Sequence, residues 1–266
     1  MSDHLADELL DLAVALAAAA AERHRAGNSG GVDTKSTDTD PVTEVDRDAE
    51  ALIVEGILAR RPDDTIHGEE GAAVEGTSGV EWVIDPLDGT VNFVYGFPHY
   101  AVSIGVLVDG VPTVGVVHDT VADHVYSAVL GRGAHCDGVA LRTSDCDSVG
   151  STLLATGFAY GPDERRSHGA VLAELIGDIR DIRRAGSAAL DLCHVAAGRV
   201  DAYYESGPNL WDVVAGMLLV TEAGGHAEYD AAAKRILASA PGVTDALSAR
   251  IVTAERTVAA GGTDAS

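Results

Sequence analysis

The run Trp82-Val83-Ile84-Asp85-Pro86-Leu87-Asp88-Gly89-Thr90-Val91-Asn92-Phe93 constrains this chain more than any other stretch. The apolar residues 82–84 predict a short buried strand. Pro86 has no N–H for a sheet ladder, so the strand is expected to end at Asp85-Pro86 and the chain to turn. Asp88 and Thr90 flank Gly89 in a pattern that suits the opening of a helix, where backbone N–H groups lack partners. The two carboxylates, Asp85 and Asp88, can converge on one point from such a turn. A hard dication bound by oxygens is the natural neutraliser of that pair. The N–H groups of the helix start would hold a phosphate beside it. Metal plus phosphate is the chemistry this stretch points to.

The rest of the chain sets bounds on that chemistry. Its 266 residues suffice for one large domain or two small ones sharing an interface. A hydrophobic share of 46% with 23% charged residues fits a soluble globular protein. The Ala-rich segment 13–21 is too short to cross a bilayer and is bracketed by Glu8, Asp11 and Glu22. No basic region precedes it, so neither a membrane span nor a secretory signal is expected. Cys136, Cys146 and Cys193 are odd in number, and their spacing matches no disulfide framework or zinc site. A cytoplasmic protein is expected. Against 42 acidic residues stand 18 basic ones, a formal charge of −24 that repels nucleic acid and anionic membranes. A phosphate substrate would need local cations.

Taken in order, residues 3–25 predict an amphipathic helix with Leu5, Leu9, Leu12, Leu16 and Ala19 on its apolar face. Gly27-Asn28-Ser29-Gly30-Gly31 ends it, and a polar loop follows through Lys35. Thr43 or Asp46 caps a second helix over about 47–60. Residues 65–70 read as a strand ending in Glu69-Glu70, and 71–79 as a loop of small residues. After the central run come strands over 100–108, 112–118 and 124–130, an antiparallel meander with Asp109-Gly110 as a hairpin turn. From about 151 the pattern changes: strand 152–156, helix 164–176, strand 178–183, helix 188–197, a strand at Tyr203-Tyr204 and a helix over 211–223 stopped by Gly224-Gly225. The expected class is α+β with an α/β C-terminal half. The division is 1–147, an N-terminal half carrying most metal ligands, and 148–256, a half with the substrate pocket. A tail over 257–266 has too few apolar residues to pack.

Glu69, the Asp85/Asp88 pair and Asp212 each fall at an expected strand end or helix start. Any one alone is more often structural, and Asp212 after Trp211 fits an N-cap. Together they offer oxygen ligands for two or three Mg²⁺, the means by which enzymes build hydrolytic metal sites. At the level of motifs the chain resembles the inositol monophosphatase family, particularly its actinobacterial inositol-1-monophosphatases. The central run matches one family signature and Trp211-Asp212-Val213-Val214-Ala215-Gly216 the other. Gly68-Glu69-Glu70, Asp40-Pro41-Val42-Thr43-Glu44-Val45-Asp46 and Asp201-Ala202-Tyr203-Tyr204-Glu205 match in order and spacing, over roughly residues 4 to 250.

The resemblance implies a layered α-β-α-β-α sandwich and a Mg²⁺-dependent, Li⁺-sensitive phosphomonoesterase acting on myo-inositol 1-phosphate, a small phosphorylated polyol. It implies that Glu69, Asp85 and the Leu87 carbonyl hold one Mg²⁺, and Asp85, Asp88 and Asp212 a second. Thr90, polarised by Asp46, would work with Glu69 to activate the attacking water. Gly89 and Thr90 would grip the phosphate, and Asp88, Gly186, Ser187, Ala188 and Glu205 would contact the polyol. Lys35 matches a family lysine near the metals, and a homodimer is implied. Asn209 stands where some relatives carry histidine, so the pocket edge can differ. Histidinol phosphate is the nearest rival substrate, since Glu205 would also suit an ammonium group. A regulatory binding protein of the same fold is the alternative from a different class.

Overall fold

The computed structural model describes residues 3–27, 32–34 and 41–261. Lys35 lies outside them. Helix α1 (Asp3–Ala26) buries Leu9, Leu12 and Leu16, the spacing expected of one helical face. Strands β1 (Val32–Thr34) and β2 (Pro41–Thr43) pair antiparallel and lead into helix α2 (Glu44–Arg60). Thr43 is the N-cap of α2, and Asp46 closes a capping box on it.

Eight strands form the larger sheet: β3 (Thr65–Gly68), β4 (Ala73–Val74), β5 (Val80–Asp88), β6 (Ala101–Val108), β7 (Val111–Asp119), β8 (His124–Val129), β9 (Ala134–Cys136) and β10 (Val139–Ala140). Their order is β10-β9-β8-β7-β6-β5-β3-β4. All neighbours pair antiparallel except β3 and β5, which run parallel. Short helix α3 (Thr90–Tyr95) bridges β5 and β6.

The second sheet has five strands. β11 (Leu153–Thr156) is followed by α4 (Pro162–Leu175), β12 (Asp181–Arg183), α5 (Ala188–Ala196), β13 (Ala202–Ser206) and α6 (Leu210–Glu222). The hairpin β14 (His226–Asp230) and β15 (Arg235–Ser239) comes next, then α7 (Thr244–Gly261). The order β12-β11-β13-β15-β14 is parallel at β12/β11/β13 and antiparallel beyond. Sequence patterning did not foresee β14, β15 or α7. The helix reaches Gly261, so the segment from Thr257 that was expected to fray begins as helix. Residues 262–266 lie outside the described part.

Three buried clusters define the layering. α1 and α2 pack on one face of the eight-stranded sheet through Leu9, Ile53, Trp82, Val102 and Ile104. α5 and α6 fill the space between the sheets, where Leu192, Val213 and Leu219 meet Tyr126 and Val117 on one side and Tyr203 and Ala238 on the other. α4 and α7 cover the outer face of the five-stranded sheet through Leu175, Leu247 and Ile251. The result is α-β-α-β-α, as expected. In β6 the alternation is direct: Val102, Ile104 and Val106 face α1 and α2, while Ala101 faces the α5/α6 layer. Among the described residues no helix is long and apolar enough to cross a membrane.

Candidate active site

β5 does not end at Pro86; it runs on to Asp88. Its register with β6 goes from Asp85↔Ser103 to Asp88↔Ala101, so one extra residue is accommodated between them. At such a bulge the ladder is interrupted, and the missing N–H of Pro86 leaves nothing unpaired. Asp85 Oδ1 accepts the Leu87 N–H at 2.9 Å, folding the carboxylate over the bulge. The bulge thereby aims Asp85, the Leu87 carbonyl and Asp88 at one end of the sheet.

Two other elements deliver carboxylates there. Glu69 follows β3, and its N–H donates to the Ile84 carbonyl at 3.1 Å, seating it beside β5. Asp212 lies in the first turn of α6 and accepts the Asn209 N–H at 2.6 Å. The helix-capping role expected of it and membership of the acidic group thus coexist. Single ligand atoms of Glu69, Asp85 and Asp212 lie within 4.8 Å of one another. Asp88 turns to the other side: its Oδ2 accepts Ser187 Oγ at 2.5 Å and the Ala189 N–H at 2.7 Å, at the start of α5.

Burial, reinforced by the neighbouring carboxylates, pushes Asp85 and Asp212 well above the usual carboxylate range. Burial also pushes Asp88 up to about 6, against the opposing pull of its Ser187 and Ala189 donors. Three like charges gathered in a poorly solvated site repel unless a cation or protons intervene. An all-oxygen donor set of this kind fits Mg²⁺ and suits neither a thiolate- nor an imidazole-seeking metal.

Beside the carboxylates, Thr90 Oγ1 stands 3.0 Å from Asp46 Oδ1 and 3.0 Å from the Leu87 carbonyl, so its single proton faces two acceptors. Asp46 is held in turn by the N–H of Thr43 at 2.8 Å and its hydroxyl at 2.5 Å. It is 1% exposed. Gly89 caps α3 in the left-handed region, with φ 95°. A Cβ there would come within 3.0 Å of the His99 carbonyl and 3.2 Å of Tyr100 Cβ, so only glycine lets the chain pass.

These groups open on a cavity of ≈480 Å³. Glu69, Asp85, Leu87, Asp88, Gly89 and Thr90 line one wall, and Gly186, Ser187, Ala188, Glu205 and Asp212 the other. Asp46 stands behind Thr90. Every site residue expected from the sequence is thus brought together, except Lys35, which falls outside the described residues. Glu205 Oε2 accepts the Tyr203 hydroxyl at 2.5 Å, and burial pushes its carboxyl up to about 7.

Four further residues shape the cavity. Asp191, 3% exposed, lines it one helical turn beyond Ser187. Its i+4 spacing from Ser187 was visible in the sequence, but the burial that makes it notable was not. Arg184 lines the wall with its guanidinium carbon 6.0 Å from the centre of the Phe158 ring, while Arg183 turns away to pair with Asp181 at 2.8 Å. Lys234 donates to Asn209 Oδ1 at 2.7 Å across the rim. Asn92 Nδ2 bonds the His99 carbonyl at 2.7 Å and the Ala185 carbonyl at 2.9 Å, linking the α3 loop to the chain that leads into α5.

Two mixed sheets among three helical layers, with an acidic cavity lined from strands of both sheets and from the starts of α5 and α6, define a layered α+β protein of the sugar-phosphatase type. The chain belongs to the inositol monophosphatase family, whose model matches residues 5–258. It is 46% identical over 241 residues to an inositol-1-monophosphatase of Mycobacterium leprae, covering 85% of this chain and 83% of that one. The solved structure of Mycobacterium tuberculosis SuhB is 44% identical and superposes with a TM-score of 0.81, covering 93% of this chain and 97% of the other. A protein named Nus factor SuhB, from Pasteurella multocida, is 48% identical over 193 residues, 72% of each chain. With this kinship goes the enzyme class: the chain is a phosphatase.

Proposed function

We propose that this protein hydrolyses myo-inositol 1-phosphate to myo-inositol and phosphate, with Mg²⁺ required and Li⁺ inhibitory. The observation that carries the reading is the clustered Glu69/Asp85/Asp212 group, with Asp85 buried, beside the Thr90–Asp46 pair on one cavity. Glu69, Asp85 and Asp212, with the Leu87 carbonyl and Asp88, would hold two or three Mg²⁺, which supply the positive charge that acidifies water and neutralises phosphate. Asp46 and the Leu87 carbonyl offer acceptors to the Thr90 hydroxyl, and a hydrogen bond to Asp46 would leave a Thr90 lone pair for the water. Thr90 and Glu69 then orient the attacking water and take up its proton, a task a threonine hydroxyl cannot do unaided. The tight backbone at Gly89 allows a phosphate to approach the main chain closely. Glu205 accepts hydroxyl protons of the polyol with the oxygen that Tyr203 leaves open. Ser187 and the Ala189 N–H fix the carboxylate of Asp88 and thereby set the distance between the two walls.

The reading extends to a cytoplasmic homodimer. Its three free cysteines suit a reducing compartment. Tyr95 and Phe97, 84% and 53% exposed, are large apolar groups that a second copy would cover.

Phosphate release from myo-inositol 1-phosphate and from histidinol phosphate, side by side with Mg²⁺ and with added Li⁺, tests the reading. Preference for the inositol ester, lost with Li⁺, is the expected result. Preference for histidinol phosphate would keep the mechanism and make Glu205 an ammonium receptor. Activity on neither would remove both proposed substrates and bring forward a second reading, a regulatory role through a macromolecular partner. That reading is favoured by the similarity to proteins named Nus factor SuhB. Asp85→Asn separates the two, since a scaffold would keep its partner while an enzyme would lose turnover.

A further inference from the structure

A second group of metal-ligating side chains lies outside the acidic cavity, at the end of β8 and the turn between β9 and β10. His124 starts β8, Cys136 ends β9, and Asp137 opens the two-residue turn Asp137-Gly138. Strand register puts Cys136 opposite Tyr126, so the β9–β10 turn folds beside His124. Both turn residues have positive φ, 50° for Asp137 and 78° for Gly138, the conformation a tight hairpin turn requires.

That turn is tied to β8 by its own backbone and carboxylate. The Asp137 N–H donates to the Val125 carbonyl at 3.0 Å, and the Val125 N–H donates to Asp137 Oδ1 at 2.9 Å. Oδ2 is left facing the two other groups, 2.7 Å from His124 Nδ1 and 3.9 Å from Cys136 Sγ. One ligand atom from each of the three residues falls within a 4.8 Å span.

We propose that His124, Cys136 and Asp137 form a binding site for a borderline divalent transition metal of the Zn²⁺ class. Nitrogen, sulfur and oxygen donors together select such an ion, whereas Mg²⁺ and Ca²⁺ take oxygen alone. Tetrahedral bond lengths for zinc place sulfur and oxygen ligands about 3.5 Å apart, and nitrogen and oxygen ligands about 3.3 Å apart. The distances present differ from these by about half an ångström, within reach of small side-chain rotations about these bond lengths. The metal replaces the thiol proton of Cys136, which is released to solvent, while His124 binds as the neutral imidazole with its one proton on Nε2 and Nδ1 free for the metal. The bond from Val125 N–H to Oδ1 orients the carboxylate, as outer hydrogen bonds orient ligands in metal sites. His124 and Asp137 have side chains 43% and 46% exposed, so a water completes the fourth position.

The site is distinct from the acidic cavity, and none of its three residues lines that space. Its mechanical effect follows from its place: a metal would tie β8 to the turn that ends the sheet, a clip at an outer strand pair. The cysteine spacing alone gave no zinc signature, because the ligands meet through strand register and not through sequence separation.

The test uses the full chain freed of metal by chelation, then saturated with Mg²⁺ so that the oxygen cluster is filled. Titration with Co²⁺ is expected to give a thiolate-to-metal absorption that saturates at one ion per chain. Cys136→Ser should abolish that band, and His124→Gln should weaken Co²⁺ binding roughly 100-fold or more. Zn²⁺ should raise the thermal midpoint of the wild type and leave that of Cys136→Ser unmoved. No thiolate band in the wild type would overturn the proposal, as would a band that survives in Cys136→Ser.

Discussion

Thr90 and His24 show how a single buried group can be read as a number. Thr90 Oγ1 is held between two acceptors, Asp46 Oδ1 and the Leu87 carbonyl, each at 3.0 Å. Thr90→Ala is expected to lower turnover on myo-inositol 1-phosphate about 10²- to 10⁴-fold with the thermal midpoint nearly unchanged. An activity loss under tenfold would remove Thr90 from the chemistry. His24 is 1% exposed, and its Nδ1 lies 3.0 Å from Thr120 Oγ1. Burial pushes its pKa down from 6.5 to about 4, outweighing the pull of the Pro86 carbonyl in the other direction. The folded state therefore binds a proton at this ring less readily than the unfolded chain. Its contribution is fully present above pH 6.5 and is lost as the pH falls toward 4. A shift of that size is worth about 3 kcal/mol. Urea unfolding of wild type and His24→Gln at pH 7 and pH 4.5 checks it. The variant should lose less stability on acidification, and equal losses would refute the assignment.

At the scale of elements, the bulge in β5 and the approach of α6 to the larger sheet decide where the site can form. A bulge was not legible in the sequence, because proline next to aspartate reads equally well as the end of a strand. Only pairing with β6 shows that the ladder resumes at Asp88↔Ala101. Helix α6 crosses β6 and β7 at two glycines. A Cβ on Gly105 would meet Val214 Cγ1 at 2.4 Å, and a Cβ on Gly115 would meet the Ala215 carbonyl at 2.7 Å. In the second case the obstacle is backbone, which cannot rotate away. Gly115→Ala should therefore destabilise the protein by about 1–3 kcal/mol, the usual consequence of overpacking. It should also weaken activity, since the displaced helix carries Asp212. A thermal midpoint equal to wild type would show that α6 has room. Helices α1, α2, α5 and α6 and the meander were readable from periodicity and caps. β14 and β15 were not: β14 alternates but carries only Ala227 and Tyr229 as apolar residues, β15 is too short a run to stand out, and β13, which pairs with β15, lies more than twenty positions earlier.

On the scale of the whole molecule, charge is the dominant feature. Forty-two acidic residues against 18 basic ones give −24, and a compact body carrying that charge repels itself. Added NaCl at neutral pH should raise the thermal midpoint, because screening shortens the range of that repulsion to about 8 Å at physiological ionic strength. A midpoint that falls with salt would mean that ion pairs such as Arg132 with Asp3 and Asp7 outweigh the net repulsion. The two sheets meet through one layer of helices, and Asp88 joins them by bonding Ser187 and Ala189 at the start of α5. Asp88→Ala should accordingly affect both activity and stability, whereas Asp85→Asn should abolish activity and leave stability equal or higher by relieving repulsion. Parallel activity assays and thermal melts of the two variants decide this.

By itself the sequence determined an α+β class with an α/β C-terminal half and the order of most elements, while the layered sandwich and nearly all the groups around the cavity followed from the resemblance of its motifs to the inositol monophosphatase family. Local patterns of apolar spacing, caps and turns carry the elements, and the motifs around Asp85, Asp212 and Glu205 are short enough along the chain to carry the resemblance. Tertiary structure alone decided that Asp88 leans toward α5, that Asp191 is buried at the cavity wall, and that His124, Cys136 and Asp137 meet. Each of these depends on strand register or on packing across a layer. Such contacts join residues far apart along the chain or across a hairpin, and no local pattern encodes the distance between them.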